Sequence, residues 1–283
     1  LAYACCLPVY AAGALWLGPG ISSVQDLTLP RMRALASALQ GGVVLWCLYL
    51  ALEPFARRRP AFVIAWTRLL QGRIRDPLVG KELLIGTVMG SAGFILRQQL
   101  SVVIPELVGI AGPPRAQYPG PAWFGQPLSQ PILGGRFVAA ELAIAVMSAL
   151  SCGLVLMAFL VVLKLALRRD WLALPVFVLA MAMLAPPNHL GGYSAISIGS
   201  GVLLGSIWAW LFHRQGLVAA FAALFAGHLA AMFPITSDPD APRFGIGLLG
   251  LLAIIAVPAY GAHAATSRPS RVALPAGVGV GAT

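Results

Sequence analysis

Residues 137–163 read FVAAELAIAVMSALSCGLVLMAFLVVL, an apolar run in which Glu141 is the one charged side chain. A helix that crosses the hydrocarbon core of a bilayer needs about 20 predominantly apolar residues. The backbone of such a segment must satisfy its own hydrogen bonds, because lipid offers none. This run therefore predicts a transmembrane helix, and it decides the class of fold.

The composition extends this prediction to the rest of the chain. Of 283 residues, 59% are hydrophobic and 10% are charged, with a mean hydropathy of +0.85. Soluble domains carry about 25% charged residues, so a soluble globular protein, a disordered chain and a disulfide scaffold are all excluded. The four cysteines lie in apolar runs without metal-binding spacing and are interpreted as small buried hydrophobic residues. No cofactor and no metal are predicted.

Eight apolar segments follow one another along the sequence. They are 2–18, 35–52, 83–108, 137–163, 172–185, 194–212, 217–235 and 244–262. The predicted fold is all-α, a polytopic membrane helix bundle with about eight transmembrane helices. The segment 172–185 is short for a span, so the count becomes seven if this segment is re-entrant.

Charge sets the predicted orientation. The net charge is +10, and the connection 53–82 contains seven basic residues. Positively charged connections stay on the cytoplasmic side, so this connection and the C-terminus are predicted to face the cytoplasm of a bacterial inner membrane. The basic residues flank apolar spans rather than forming a basic surface with aromatics, so the predicted partner is the lipid bilayer and no nucleic acid is expected.

The connection 53–82 has a pattern of its own. Apolar residues recur at helical spacing from Phe62 to Ile74, which predicts a short amphipathic helix at the interface that Asp76-Pro77 ends. It is a candidate contact for a cytoplasmic kinase domain or for anionic lipid, although the pattern favours the simpler interpretation, a plain positively charged anchor. The candidate interface residues are Arg57, Arg58, Arg59, Trp66, Arg68, Arg73, Arg75, Asp76 and Lys81.

Three further segments complete the predicted organisation. Residues 1–34 form an N-terminal apolar span and connection, and residues 35–271 form the multi-span domain. Residues 105–135 are rich in Pro and Gly and form an outside connection, while 272–283 form a flexible tail.

Few polar groups interrupt the predicted spans. Arg97 and Glu141 are placed toward the outer ends of neighbouring spans, and a guanidinium in a membrane must reach water or a carboxylate. They form a candidate intramembrane pair, with the interfacial placement of Arg97 as the alternative. His228 is interpreted as a packing residue. The spacings Gly86-x-x-x-Gly90 and Gly201-x-x-x-Gly205 predict close helix approach within the chain.

One block of the sequence is specific enough to suggest a family. Residues 45–86 read LWCLYLALEPFARRRPAFVIAWTRLLQGRIRDPLVGKELLIG. This block resembles the juxtamembrane region of polytopic bacterial serine/threonine protein kinases, and weaker likeness at Phe233-Pro234-Ile235-Thr236 and Tyr260-Gly261 extends it over residues 35–271. The resemblance implies the membrane part of such a kinase. The catalytic motifs are absent, because no Asp-Phe-Gly and no His-Arg-Asp occur in this sequence.

The beginning of the chain resembles a different family. Residues 17–39, LGPGISSVQDLTLPRMRALASAL, are similar to a late connection of major facilitator transporters. That family places this connection in the cytoplasm, which conflicts with a cytoplasmic 53–82 if 35–52 spans the membrane. Residues 1–34 are therefore interpreted as a possible transporter-like fragment. The predicted function is a non-catalytic transmembrane anchor or sensor module, with a secondary transporter as the alternative.

Overall fold

The computed structural model describes residues 42–52, 64–98, 135–184, 195–233 and 244–267, together with residues 32, 36, 39, 100, 239 and 240. Every regular element in these residues is helical, which confirms the all-α prediction. The segments 1–31, 101–134 and 268–283 lie outside the described residues, and so do the predictions made for them.

Eight helices are present in the described part of the chain. They are α1 (Gly42–Leu52), α2 (Ile64–Leu70), α3 (Pro77–Gln98), α4 (Gly135–Leu167), α5 (Asp170–Leu184), α6 (Ala195–Trp210), α7 (Leu217–Met232) and α8 (Phe244–Thr266). A π-helical turn, Leu211–Gln215, continues α6, and Gly216 joins that turn to α7.

Three of these helices are long and apolar enough to cross a membrane: Pro77–Arg97, Glu141–Leu167 and Phe244–Thr266. Large apolar side chains on these helices are exposed. On α8, for example, the exposed fractions are 44% for Leu248, 53% for Leu252 and 52% for Ile255. Helices α5, α6 and α7 contain 15, 16 and 16 residues. A helix bundle is confirmed, and the number of spans stays a prediction.

The segment that was predicted to be the weakest span is an unbroken helix. Helix α5 contains Pro175 in its interior and still continues to Leu184. Its Phe177 is fully buried, whereas Leu179 on another face is 55% exposed. Residues 170–184 therefore form a helix within the bundle, packed against α6 through Val178 and Met181, both close to Gly205.

Helices α3 and α7 lie at the centre of the bundle and run parallel. A methyl group built on Gly86 or Gly90 would collide with the backbone of Ala219 or Ala223, so the two helices touch backbone to backbone. Small residues permit this approach in membrane helices. The predicted role of the Gly86–Gly90 pair in packing within the chain is confirmed.

Contacts at one end of the bundle show in which direction the other helices run relative to α3 and α7. Ser267 at the end of α8 donates a 3.0 Å hydrogen bond from Oγ to the carbonyl of Arg75, just before α3 begins. Gly153 of α4 meets Phe221 near the start of α7. We call this end, where α3 and α7 begin and where α4, α8 and the π turn finish, the basal end.

The connection between α2 and α3 differs from its prediction. Helix α2 ends at Leu70, because Gly72 takes a left-handed conformation with φ of 78° and the N–H of Arg73 bonds back to the carbonyl of Arg68. This is a Schellman ending. Asp76 does not end α2; it begins α3, where its Oδ1 accepts a 2.9 Å hydrogen bond from the N–H of Leu78 and Pro77 occupies the first turn.

The two described cysteines correct one detail of the sequence analysis. Both are free thiols, but Cys47 on α1 is exposed and Cys152 on α4 is half-buried. They are therefore not both buried in the protein core. The exposed thiol lies on an apolar helix whose neighbours Val43 and Trp46 are also exposed, which is the surface that lipid would cover.

Candidate functional site

The most deeply buried polar contact joins α4 to α7. The Nε2 atom of His228 lies 2.9 Å from Oε1 of Glu141, and each side chain is 2% exposed. The two residues are 87 positions apart in the chain, so the antiparallel packing of α4 against α7 brings them together.

Apolar side chains surround this pair. Val138, Ala145, Leu229 and Phe233 form a buried cluster at the same level, and Phe225 packs against it. In such surroundings a carboxylate and an imidazole are stable only when each satisfies the other.

Glu141 was predicted to pair with Arg97, and the structure gives it His228 as its hydrogen-bond partner. Arg97 lies in the last turn of α3 with a half-buried side chain and makes contacts of its own. Similar depth and opposite charge had suggested the pair of Arg97 and Glu141. The sequence does not show which helices pack together, and α7 supplies the partner of Glu141 from the face that touches α4.

The basal connection is attached to the bundle through Trp66. This side chain is 7% exposed, and its ring packs edge-on against Phe221 of α7 at 5.1 Å between centroids and 77° between planes. Trp66 was predicted as a surface contact in the cytoplasmic interface. Because its ring is buried within the bundle, it holds α2 in place and offers no surface to a partner.

The remaining predicted interface residues fall into three sets: an ion pair, exposed basic residues and residues that the structure does not describe. Arg68 reaches both carboxylate oxygens of Asp76 through Nη1, at 2.9 and 2.8 Å, and so closes the loop between α2 and α3. Arg73, Arg75 and Lys81 are exposed. Arg57, Arg58 and Arg59 lie outside the described residues.

A second buried carboxylate at the basal end was missed by the sequence analysis. Glu82 of α3 is 3% exposed and faces the backbone N–H groups of Val218 and Ala219, in the first turn of α7. Its Oε2 makes no hydrogen bond to another described residue. A negative group is favourable at a helix N-terminus, where backbone donors have no partners within the helix.

Gly216 makes this approach possible. A methyl group on Gly216 would lie 2.7 Å from both carboxylate oxygens of Glu82. The N-cap residue of α7, Gly216, has no side chain that could cap the helix, so the carboxyl group of Glu82 reaches the first N–H groups of α7 from a different helix. The signal in the sequence was a lone Glu early in an apolar helix, but only the tertiary structure identifies the helix that it faces.

The described residues contain no group of three or more His, Cys, Asp or Glu side chains placed to hold a metal ion. No model of a known protein family matches the chain, and no curated protein and no solved structure matches it either. Functional interpretation therefore depends on the two buried carboxylates, the attached helix α2 and the charge distribution.

Proposed function

We propose that this chain is a non-catalytic membrane module that anchors a cytoplasmic signalling domain and transmits the state of the helix bundle to it. The observation that carries the proposal is the attachment of α2. Trp66 inserts into the bundle against Phe221, and the ion pair between Arg68 and Asp76 fixes the turn that follows. A movement of α7 against its neighbours would be passed directly to α2.

The charge distribution supports a cytoplasmic basal end. Eight basic residues of the described segments lie there, and only Arg97 and Arg136 lie at the opposite ends of their helices. The eight are Arg68, Arg73, Arg75, Lys81, Lys164, Arg168, Arg169 and Arg214. Under the positive-inside rule this asymmetry orients the basal end toward the cytoplasm of a bacterial inner membrane.

The resemblance of residues 45–86 to the juxtamembrane region of bacterial serine/threonine protein kinases suggests what the module would carry. In that family the catalytic domain precedes the membrane region, so α2 would lie close to the point of attachment. The exposed side chains of Arg73, Arg75 and Lys81 would then face that domain or the anionic membrane surface.

The proposal is tested by sequencing the source DNA upstream of the codon for Leu1. An in-frame kinase domain upstream would support the anchor and sensor function. A series of further apolar spans upstream would contradict it and would favour a transporter.

A second candidate function, proton-linked transport, is favoured by one observation. Glu141 and His228 form a buried ionisable pair within apolar helices, and such pairs in membranes commonly mark proton or substrate pathways. Proteoliposomes that contain the purified chain and an internal pH dye would test it. Proton uptake driven by a potassium diffusion potential, and abolished by Glu141→Leu, would support transport; uptake equal to that of empty liposomes would exclude it.

A further inference from the structure

A groove between α5 and α6 opens on the outer surface of the bundle at its basal end. Its volume is about 560 Å³. Pro175, Val178 and Leu179 of α5 form one wall, and Trp210 of α6 forms part of the other. Ligand-binding cavities in proteins usually range from about 300 to 1,000 Å³, so the groove is large enough to hold part of an extended molecule.

The groove changes from apolar to basic along its length. Along α6 and the π turn, residues three or four positions apart line the groove. The last two of these lining residues are His213 and Arg214. Both side chains are exposed. They come one helical turn after Trp210, which also lines the groove and is 40% exposed. An apolar channel that ends in an aromatic ring and a cation matches the profile of a membrane from acyl chains to head groups.

The cation at the end of the groove has no partner among the residues whose side chains the structure describes. No hydrogen bond or ion pair joins Arg214 to another described residue. None of the residues that line the groove is an Asp or a Glu, and the described carboxylates of Asp76 and Glu141 have other partners. A negative group that enters the groove would therefore meet the exposed guanidinium of Arg214, and guanidinium groups bind phosphate oxygens well.

We infer that this groove binds an anionic phospholipid of the basal leaflet, with an acyl chain between α5 and α6 and the phosphate at Arg214 and His213. A soluble phosphate would make no favourable contact with the apolar walls of the groove. A zwitterionic lipid would occupy the space between the apolar walls, but its head group would bind less strongly at the basic end. Basic pockets between transmembrane helices are known to recognise anionic head groups.

The experiment measures lipid binding by the purified full chain with native mass spectrometry. The detergent-solubilised protein is titrated with phosphatidylglycerol, and separately with phosphatidylcholine of the same acyl chains. We expect Arg214→Gln to weaken phosphatidylglycerol binding about tenfold, as for loss of a charge-assisted hydrogen bond. Arg73→Gln, an exposed basal arginine outside the groove, should leave binding unchanged and serves as the matched control.

A second variant tests the apolar part of the site. Ser206 lines the groove and is exposed, so Ser206→Phe should fill the channel without disturbing the core and should also weaken phosphatidylglycerol binding. Melting curves confirm that each variant remains folded, and His213→Gln replaces Arg214→Gln if that variant does not fold. Equal binding of the two lipids, or equal losses in Arg214→Gln and Arg73→Gln, would overturn the inference. Displacement of the lipid by inorganic phosphate, with no effect of Ser206→Phe, would also overturn it.

Discussion

Glu82 and Glu141 are both almost completely buried, with exposed fractions of 3% and 1%, but different partners stabilise them. Glu141 has a side-chain partner in His228, whereas Glu82 faces the first backbone N–H groups of α7. Each carboxylate therefore contacts α7 from a neighbouring helix, one in the first turn and one near the end. Helix α7 is the element on which both depend.

The contact between Glu141 and His228 predicts strong coupling in a double-mutant cycle. Glu141→Leu or His228→Leu alone leaves its partner buried and unpaired and should lower the free energy of unfolding by about 3 kcal/mol. The double variant replaces both groups by apolar side chains and should recover much of that loss. Detergent-phase melting measures each variant.

A control cycle separates this pair from the one that the sequence suggested. Glu141→Leu combined with Arg97→Gln should show additive effects, because residues without a shared contact usually add within about 0.5 kcal/mol. Additivity between positions 141 and 228, together with coupling between 97 and 141, would contradict the contact in the structure.

The close approach of Glu82 to Gly216 predicts a specific cost for a single methyl group. In Gly216→Ala the new Cβ would overlap both carboxylate oxygens, so Glu82 must leave the start of α7 and the free energy of unfolding should fall by about 1–3 kcal/mol. Glu82→Ala combined with Gly216→Ala should cost little more than Glu82→Ala alone. Gly199→Ala, where the built methyl group meets no atom within 4 Å, is the matched control. A Gly216→Ala variant as stable as Gly199→Ala would refute the predicted overlap.

Helix α2 has seven residues, too few to be stable alone in water, so its packing against the bundle determines whether it forms. Its Trp66 makes the principal contact, and its other end is closed by Gly72 and by the ion pair of Arg68 with Asp76. The ion pair of Arg68 with Asp76 is partly buried, and its two hydrogen bonds fix the geometry of the turn.

The attachment of α2 can be tested by truncating the indole. Trp66→Ala should destabilise the protein by about 3–5 kcal/mol, or release α2 from the bundle, because a large buried aromatic ring is removed. A spin label at position 71, in the turn after α2, should become more mobile in Trp66→Ala. Leu70→Ala, at a residue that is 45% exposed, should leave the label unchanged. Equal mobility in Trp66→Ala and the parent protein would mean that α2 is held by other contacts.

The sequence predicted the elements better than their ends and contacts. Apolar length located α4, α7 and α8, because a bilayer imposes that length on any spanning helix. The start of α3 was placed at residue 83 instead of Pro77, since an N-cap aspartate followed by proline was interpreted as the end of the preceding helix. The Glu141–His228 contact was not predictable, because every face of these helices is apolar and the sequence does not indicate which faces meet.

The two ends of the helix bundle differ in charge. Three of its helices are long and apolar enough to cross a membrane, its surface exposes large apolar side chains, and its basic residues concentrate at the basal end. The attached helix α2, the Glu82 contact and the groove between α5 and α6 all lie at that same end. A basal end in the cytoplasm would place each of them where signalling domains and anionic head groups occur.

The orientation of the basal end is the claim on which the proposed function depends. It is tested by cysteine labelling in a variant whose four native cysteines are replaced by alanine. Gln71→Cys lies in the exposed basal turn, and Asp240→Cys replaces an exposed residue between α7 and α8 at the opposite end. With a membrane-impermeant thiol reagent, we predict that intact cells label Asp240→Cys alone and that Gln71→Cys is labelled only after the membrane is opened. Labelling of Gln71→Cys in intact cells, with protection of Asp240→Cys, would contradict the account.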